Sequence, residues 1–93
     1  MTNVSFRLPS ECVDLESNVI ATTISNITMH LTDAEISVYT DKPQLAVNAK
    51  SILGLMSLHL KADDELHFKV LCESNPTYTT RKLLTDLQTV FSK

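Results

Sequence analysis

Val4, Phe6 and Leu8 alternate with polar neighbours at the start of the chain, the two-residue period of a strand with one buried face. Pro9-Ser10 ends that pattern, and the acidic stretch from Glu11 to Glu16 reads as a loop. Leu15, Val19, Ile20, Ile24, Ile27 and Leu31 then recur at helical spacing, with Thr and Asn on the opposite face. Thr and Ile are middling helix formers, so this helix is expected to depend on packing. Ile36 and Val38 alternate next, Thr40-Asp41-Lys42-Pro43 is a turn signal, and Leu45 and Val47 alternate after it. Two strands around a short connection predict a hairpin.

Asn48-Ala49-Lys50 leads to Ser51, a good helix N-cap residue. Ile52, Leu53, Leu55, Met56 and Leu58 follow as a short helix that is apolar around much of its circumference. After the polar turn Ala62-Asp63-Asp64, the run Leu66, Phe68, Val70 and Cys72 gives the clearest strand alternation in the chain. Ser74-Asn75-Pro76 sets up a helix start, and Leu83, Leu84, Leu87, Val90 and Phe91 make a C-terminal amphipathic helix. The order β-α-β-β-α-β-α predicts an α+β domain with helices on one face of a mainly antiparallel sheet. Ninety-three residues suit one such domain, 1–93, and are too few for two cores.

Composition narrows the function classes. An apolar fraction of 43% with 20% charged residues is that of a soluble globular chain. No stretch approaches the roughly 18 apolar residues of a membrane span, and Met1 to Leu8 lacks the pattern of a secretory signal. A cytoplasmic location without membrane contact is therefore expected. A net charge of −3 with scattered Lys and Arg argues against direct nucleic-acid binding. Gly54 is the only glycine, which excludes a Gly-rich phosphate cradle. Cys12 and Cys72 form no Cys-x-x-Cys pair and read as one loop thiol and one small core residue.

Little in the chain points to catalysis. His30, His59 and His67 are far apart and show no metal-ligand spacing, so neither a metal nor a cofactor is expected. His67 reads as a solvated strand residue, and His59 as a favourable charge near a helix C-terminus. Ser51 lacks the Gly-x-Ser-x-Gly context of a hydrolase, and no carboxylate pair suggests general acid/base work. A non-enzymatic protein is the expectation.

The segment Val47-Asn48-Ala49-Lys50-Ser51-Ile52-Leu53-Gly54-Leu55-Met56-Ser57-Leu58 is more specific. It closely resembles the regulatory-serine region of HPr, the histidine-containing phosphocarrier of the bacterial phosphotransferase system. Length and element order extend the resemblance over residues 3–92. It implies an HPr-like open-faced sandwich, a four-stranded antiparallel sheet with three helices on one face. In that family a His-x-Arg-Pro motif before the first helix carries phosphate. The matching stretch, Ser10 to Ala21, contains no His and no Arg. Counting back from the second strand puts the histidine position near Asn18 and the arginine position near Ile20. Phosphohistidine chemistry needs an imidazole nucleophile and positive or dipolar groups around the phosphate. Glu11, Asp14 and Glu16 put repulsive charge there instead, and no motif supports an acyl phosphate on one of them.

Ser51 stands where the family has its regulatory serine, and the resemblance implies phosphorylation there by HPr kinase. A phosphate at a helix N-cap meets free backbone N–H groups, although Ser51 can equally be read as a plain cap contributing about 1 kcal/mol. Lys50, Ile52, Leu53 and Met56 are the partner-binding residues that the resemblance implies, and core packing is the alternative for the three apolar ones. The chain is closest in character to the catabolite-repression paralogue of HPr, a regulator that binds a transcription factor. One departure is that Lys61 to Glu65 lacks the glycine usual in the family. Two other readings stay open: a sugar-transport phosphocarrier with a displaced acceptor, and an HPr-fold protein-binding module that is never phosphorylated.

Overall fold

A computed structural model of the chain describes residues 2–91. The elements are β1 (Thr2–Arg7), a 3-10 turn (Ser10–Asp14), α1 (Ser17–Met29), β2 (Ala34–Tyr39), a 3-10 turn (Pro43–Leu45), β3 (Val47–Asn48), α2 (Ile52–Met56), β4 (Glu65–Cys72) and α3 (Pro76–Phe91). The strands form one antiparallel sheet in the order β1-β4-β2-β3. Both the α+β class and the predicted element order hold.

Alternation fixes which face the helices cover. Val4 pairs with Phe68, Phe68 with Val38, and Val38 with Val47, so one apolar row crosses all four strands. The next row on the opposite face is Ser5, His67 and Tyr39, the polar side of a sheet that packs on only one surface. Against the apolar face lie Ile20, Ala21 and Ile24 of α1, Leu55 of α2, and Leu83 and Leu87 of α3, all without accessible surface. Asn75 Oδ1 accepts from the Tyr78 N–H at 3.0 Å, which caps α3 where Pro76 needs no partner.

Three sequence expectations are corrected. Leu45 is not in a strand: Pro43 fixes φ and removes a donor, the chain turns through Pro43–Leu45, and β3 keeps only two residues. Leu15 lies outside α1 with extended backbone, because the helix starts after Glu16. The acidic stretch is an ordered 3-10 turn that buries Cys12, while Cys72 at the end of β4 is only half-buried.

Two non-glycine residues take left-handed backbone, His59 (φ 53°) and Asp63 (φ 70°). Asp63 lies in the turn before β4, and bonds to the segment after β1 hold it. Its N–H donates to Leu8 O at 3.0 Å, and its side chain accepts from Ser10 Oγ at 2.7 Å. His59 is exposed just past α2 and has no such side-chain bond among the described residues. The left-handed conformation costs a non-glycine residue about 1–2 kcal/mol, against a glycine entropy cost of about 0.5–1 kcal/mol. His59→Gly is therefore expected to raise stability by up to about 1 kcal/mol, read as a higher urea midpoint at constant slope.

Candidate functional site

Ser51 is held by the segment that precedes it. The Ala49 N–H donates to Ile36 O at 2.8 Å, continuing the β2–β3 pairing beyond β3. On the other side, α1 braces the same backbone. Thr28 Oγ1 donates to Ala49 O at 2.8 Å, and Ser25 Oγ donates to Lys50 O at 2.8 Å. Thr28 and Ala49 are both fully buried, so the bond between them is shielded from water. Asn48 adds an Asx-type turn, its Oδ1 accepting from the Lys50 N–H at 2.9 Å.

The chain then enters α2 with Ser51 as N-cap, its Oγ accepting from the Gly54 N–H at 3.1 Å. Gly54 keeps α2 close to β3: a Cβ there would sit 3.2 Å from Val47 Cβ. With five residues, α2 can turn only a narrow face inward. Leu55 is buried, while Ile52, Leu53 and Met56 are 41%, 80% and 39% exposed. The three expected docking residues thus leave apolar surface exposed on the helix that Ser51 caps.

Lys50 is placed differently from the other three. Its ammonium donates to Leu31 O at 2.8 Å and Ala34 O at 2.7 Å. It closes the end of α1 and the start of β2, where carbonyls favour a cation. Lys50, expected among the partner-binding residues, thus has its charged end bonded within the fold.

The start of α1 lies beyond the acidic turn. Glu16 is the N-cap residue but makes no side-chain cap bond. Ser17 Oγ is buried there without a partner among the described residues. Asn18 is exposed in the first helical turn. Ile20 has no accessible surface, so that position faces the core and not the solvent side of the helix. No basic residue lies in the 3-10 turn or the first turn of α1.

The remaining titratable clusters are small. Ser74 Oγ donates to Asp33 Oδ2, and this bond, with a second from Cys72 Sγ, holds the Asp33 carboxyl below its ordinary value. The Thr79 hydroxyl, 3.3 Å from Cys72 Sγ, lowers the Cys72 thiol against the opposing effect of burial. His67 accepts or donates at Ser5 Oγ (3.0 Å) and stacks on Tyr39 on the open sheet face. Among the described residues, no group of three His, Cys, Asp or Glu is placed to hold a metal, and no helix is long and apolar enough to cross a membrane.

The sequence reading missed Ser25 and Thr28, which reach Ser51's approach from α1. Their only signal is a hydroxyl on the buried side of a helix, where aliphatic side chains are expected.

The fold has known counterparts. The family model described as the PTS HPr component phosphorylation site matches residues 18–75. A crystal structure of HPr-C-His from Thermoanaerobacter tengcongensis matches with TM-score 0.66 and 21% identity, over 100% of this chain and 98% of that one. The Mycoplasma histidine-containing phosphocarrier protein matches with TM-score 0.71 and 11% identity, over 96% and 94%. HPr from Bacillus anthracis str. Ames matches with TM-score 0.61 and 23% identity, over 92% and 98%. At these identities the structures speak for the fold alone. No curated protein matches the chain. The family model spans most of the sequence, including β2, α2 with its Ser51 cap, and β4, and the sheet order and helical layer are those of the matched structures: the chain belongs to the HPr family of the phosphotransferase system.

Proposed function

We propose that this HPr-family protein is a regulator and not a phosphocarrier, phosphorylated at Ser51 and docking partners through Ile52, Leu53 and Met56. The observation that carries the reading is the pairing of a capping hydroxyl with an apolar surface left open on the same short helix. A phosphate on Ser51 Oγ would lie against the unpaired N–H groups of the first turn. It would bring roughly −1.5 to −2 charges to the edge of that surface, which gives a partner a means of telling the two states apart.

Loss of carrier chemistry is the second half of the proposal. Asn18, the position matched to the family histidine, offers an amide where a nucleophilic imidazole is needed. Ile20, matched to the arginine, is in the core and offers no cation. Glu11, Asp14 and Glu16, all exposed, put negative charge in the segment that leads into α1. The partners implied are HPr kinase and a transcriptional regulator of carbon catabolite control, in the cytoplasm, with no catalysis by this chain.

The test is intact-mass analysis after incubation with HPr kinase and ATP, or with the general phosphotransferase enzyme and phosphoenolpyruvate. One phosphate from the kinase reaction, absent in Ser51→Ala, is the expected result. Acid-labile phosphate from phosphoenolpyruvate would instead establish a carrier with a displaced acceptor. No phosphate from either system would leave a protein-binding module on the HPr fold.

A further inference from the structure

An apolar groove of about 340 Å³ separates the Ser10–Asp14 turn and the first half of α1 from the last turn of α3. Cys12, Leu15, Val19, Val90 and Phe91 line it, with Glu11 at its edge. Cys12 and Phe91 form a buried floor, whereas Val13, Leu15, Val19 and Val90 in and around it are between 41% and 73% exposed. Apolar surface therefore continues outward from the groove and exceeds what a ligand confined to it would cover.

Among the described residues, the charge beside this surface is acidic. Glu11, Asp14 and Glu16 are all exposed beside Val13 and Leu15. Among the described residues, no Lys or Arg lines the groove, and the last turn of α3 carries no basic residue. The negative field reaches the floor: burial pushes the Cys12 thiol up, and the charges of Glu11 and Asp63 add to the rise. The groove is also separate from the surface beside Ser51. Val19 and Thr23 line it from the α3 side of α1, whereas Ser25 and Thr28 bond to Lys50 and Ala49 on the α2 side.

We propose that this groove docks a basic amphipathic helix of a partner protein, its apolar side chains against Leu15, Val19 and Val90 and its Lys and Arg side chains against Glu11, Asp14 and Glu16. An amphipathic helix supplies apolar anchors at i, i+3, i+4 and i+7 that fit such a groove. Its flanking cations meet the acidic rim, which repels an acidic helix of the same shape. The site does not depend on phosphorylation of Ser51.

The probe is a fluorescein-labelled helical peptide with leucines at that spacing and lysines elsewhere, compared with a version bearing glutamate at every lysine. Saturable binding of the lysine peptide, read by fluorescence anisotropy, is expected. It should weaken by about tenfold or more in two separate variants, Leu15→Glu with Val19→Glu, and Glu11→Gln with Asp14→Asn and Glu16→Gln. Leu53→Ser on α2 should leave it unchanged. Both groove variants alter exposed side chains, and an unchanged urea midpoint checks that each is folded. Equal binding of the glutamate peptide, or weakening by Leu53→Ser and not by the groove variants, would overturn the proposal. So would a concentration-dependent dimer abolished by Leu15→Glu with Val19→Glu, because the groove would then belong to a second copy.

Discussion

Phe68→Ala is expected to remove about 3–5 kcal/mol of stability, the largest loss from any single truncation in the chain. Phe68 has no accessible surface and stands at the crossing of β1, β4 and β2, opposite Val4 on one side and Val38 on the other. Its ring is the largest fully buried side chain, and the surrounding strands are tied by ladder bonds on both edges of β4. They cannot close over the space it leaves. Domains of this size hold about 5–15 kcal/mol in total, so the variant should sit near the edge of folding at 25 °C. Urea denaturation is the measurement, with a much lower midpoint at unchanged slope as the expected result. Leu53→Ala, at a site 80% exposed, should stay within about 0.5 kcal/mol. If the two losses were similar, the apolar row across the sheet would not be the centre of the core.

That contrast shows why some of the fold was legible in the sequence. Leu66, Phe68 and Val70 alternate because β4 is central and covered on one face only, so every second position has to be apolar. The exposed face of α2 was legible for the opposite reason. Five residues cannot all turn inward, so an apolar run of that length must leave part of itself in water. Leu45 misled because alternation with Val47 is also what a 3-10 turn after Pro43 happens to produce. Leu15 misled because it stands four residues before Val19, a helical spacing, although the helix boundary falls between them at Glu16. Cys12 was hidden by acidic neighbours, which gave the whole stretch the look of a solvated loop.

The candidate site divides in the same way. Ser51, Ile52, Leu53 and Met56 fall within six residues, and their geometry is set locally. What supports them is not local. Thr28 and Ser25 act from 21 and 25 residues upstream, and no period or motif links a helix hydroxyl to a distant carbonyl. The left-handed positions His59 and Asp63 were equally invisible, because neither carries the glycine that would announce them.

Lys50 is where the two kinds of reading meet, and Lys50→Met separates them. Read from its neighbours in sequence, it belongs with the docking surface, and its replacement should alter binding while leaving stability within about 0.5 kcal/mol. The hydrogen bonds lead to a large effect on stability instead. The ammonium bridges the carbonyls of Leu31 and Ala34, 19 and 16 residues upstream, both on residues buried in the core. Hydrogen bonds from a charged group contribute about 1.5–3 kcal/mol, and methionine keeps the stem while removing every donor. A loss of about 2–3 kcal/mol is therefore expected, read as a lower urea midpoint. Asp33 should keep most of its lowered pKa in this variant, since the Ser74 and Cys72 hydrogen bonds outweigh the Lys50 charge. That distinguishes a local loss of the bridge from rearrangement of the whole α1–β2 connection, which would release Asp33 as well.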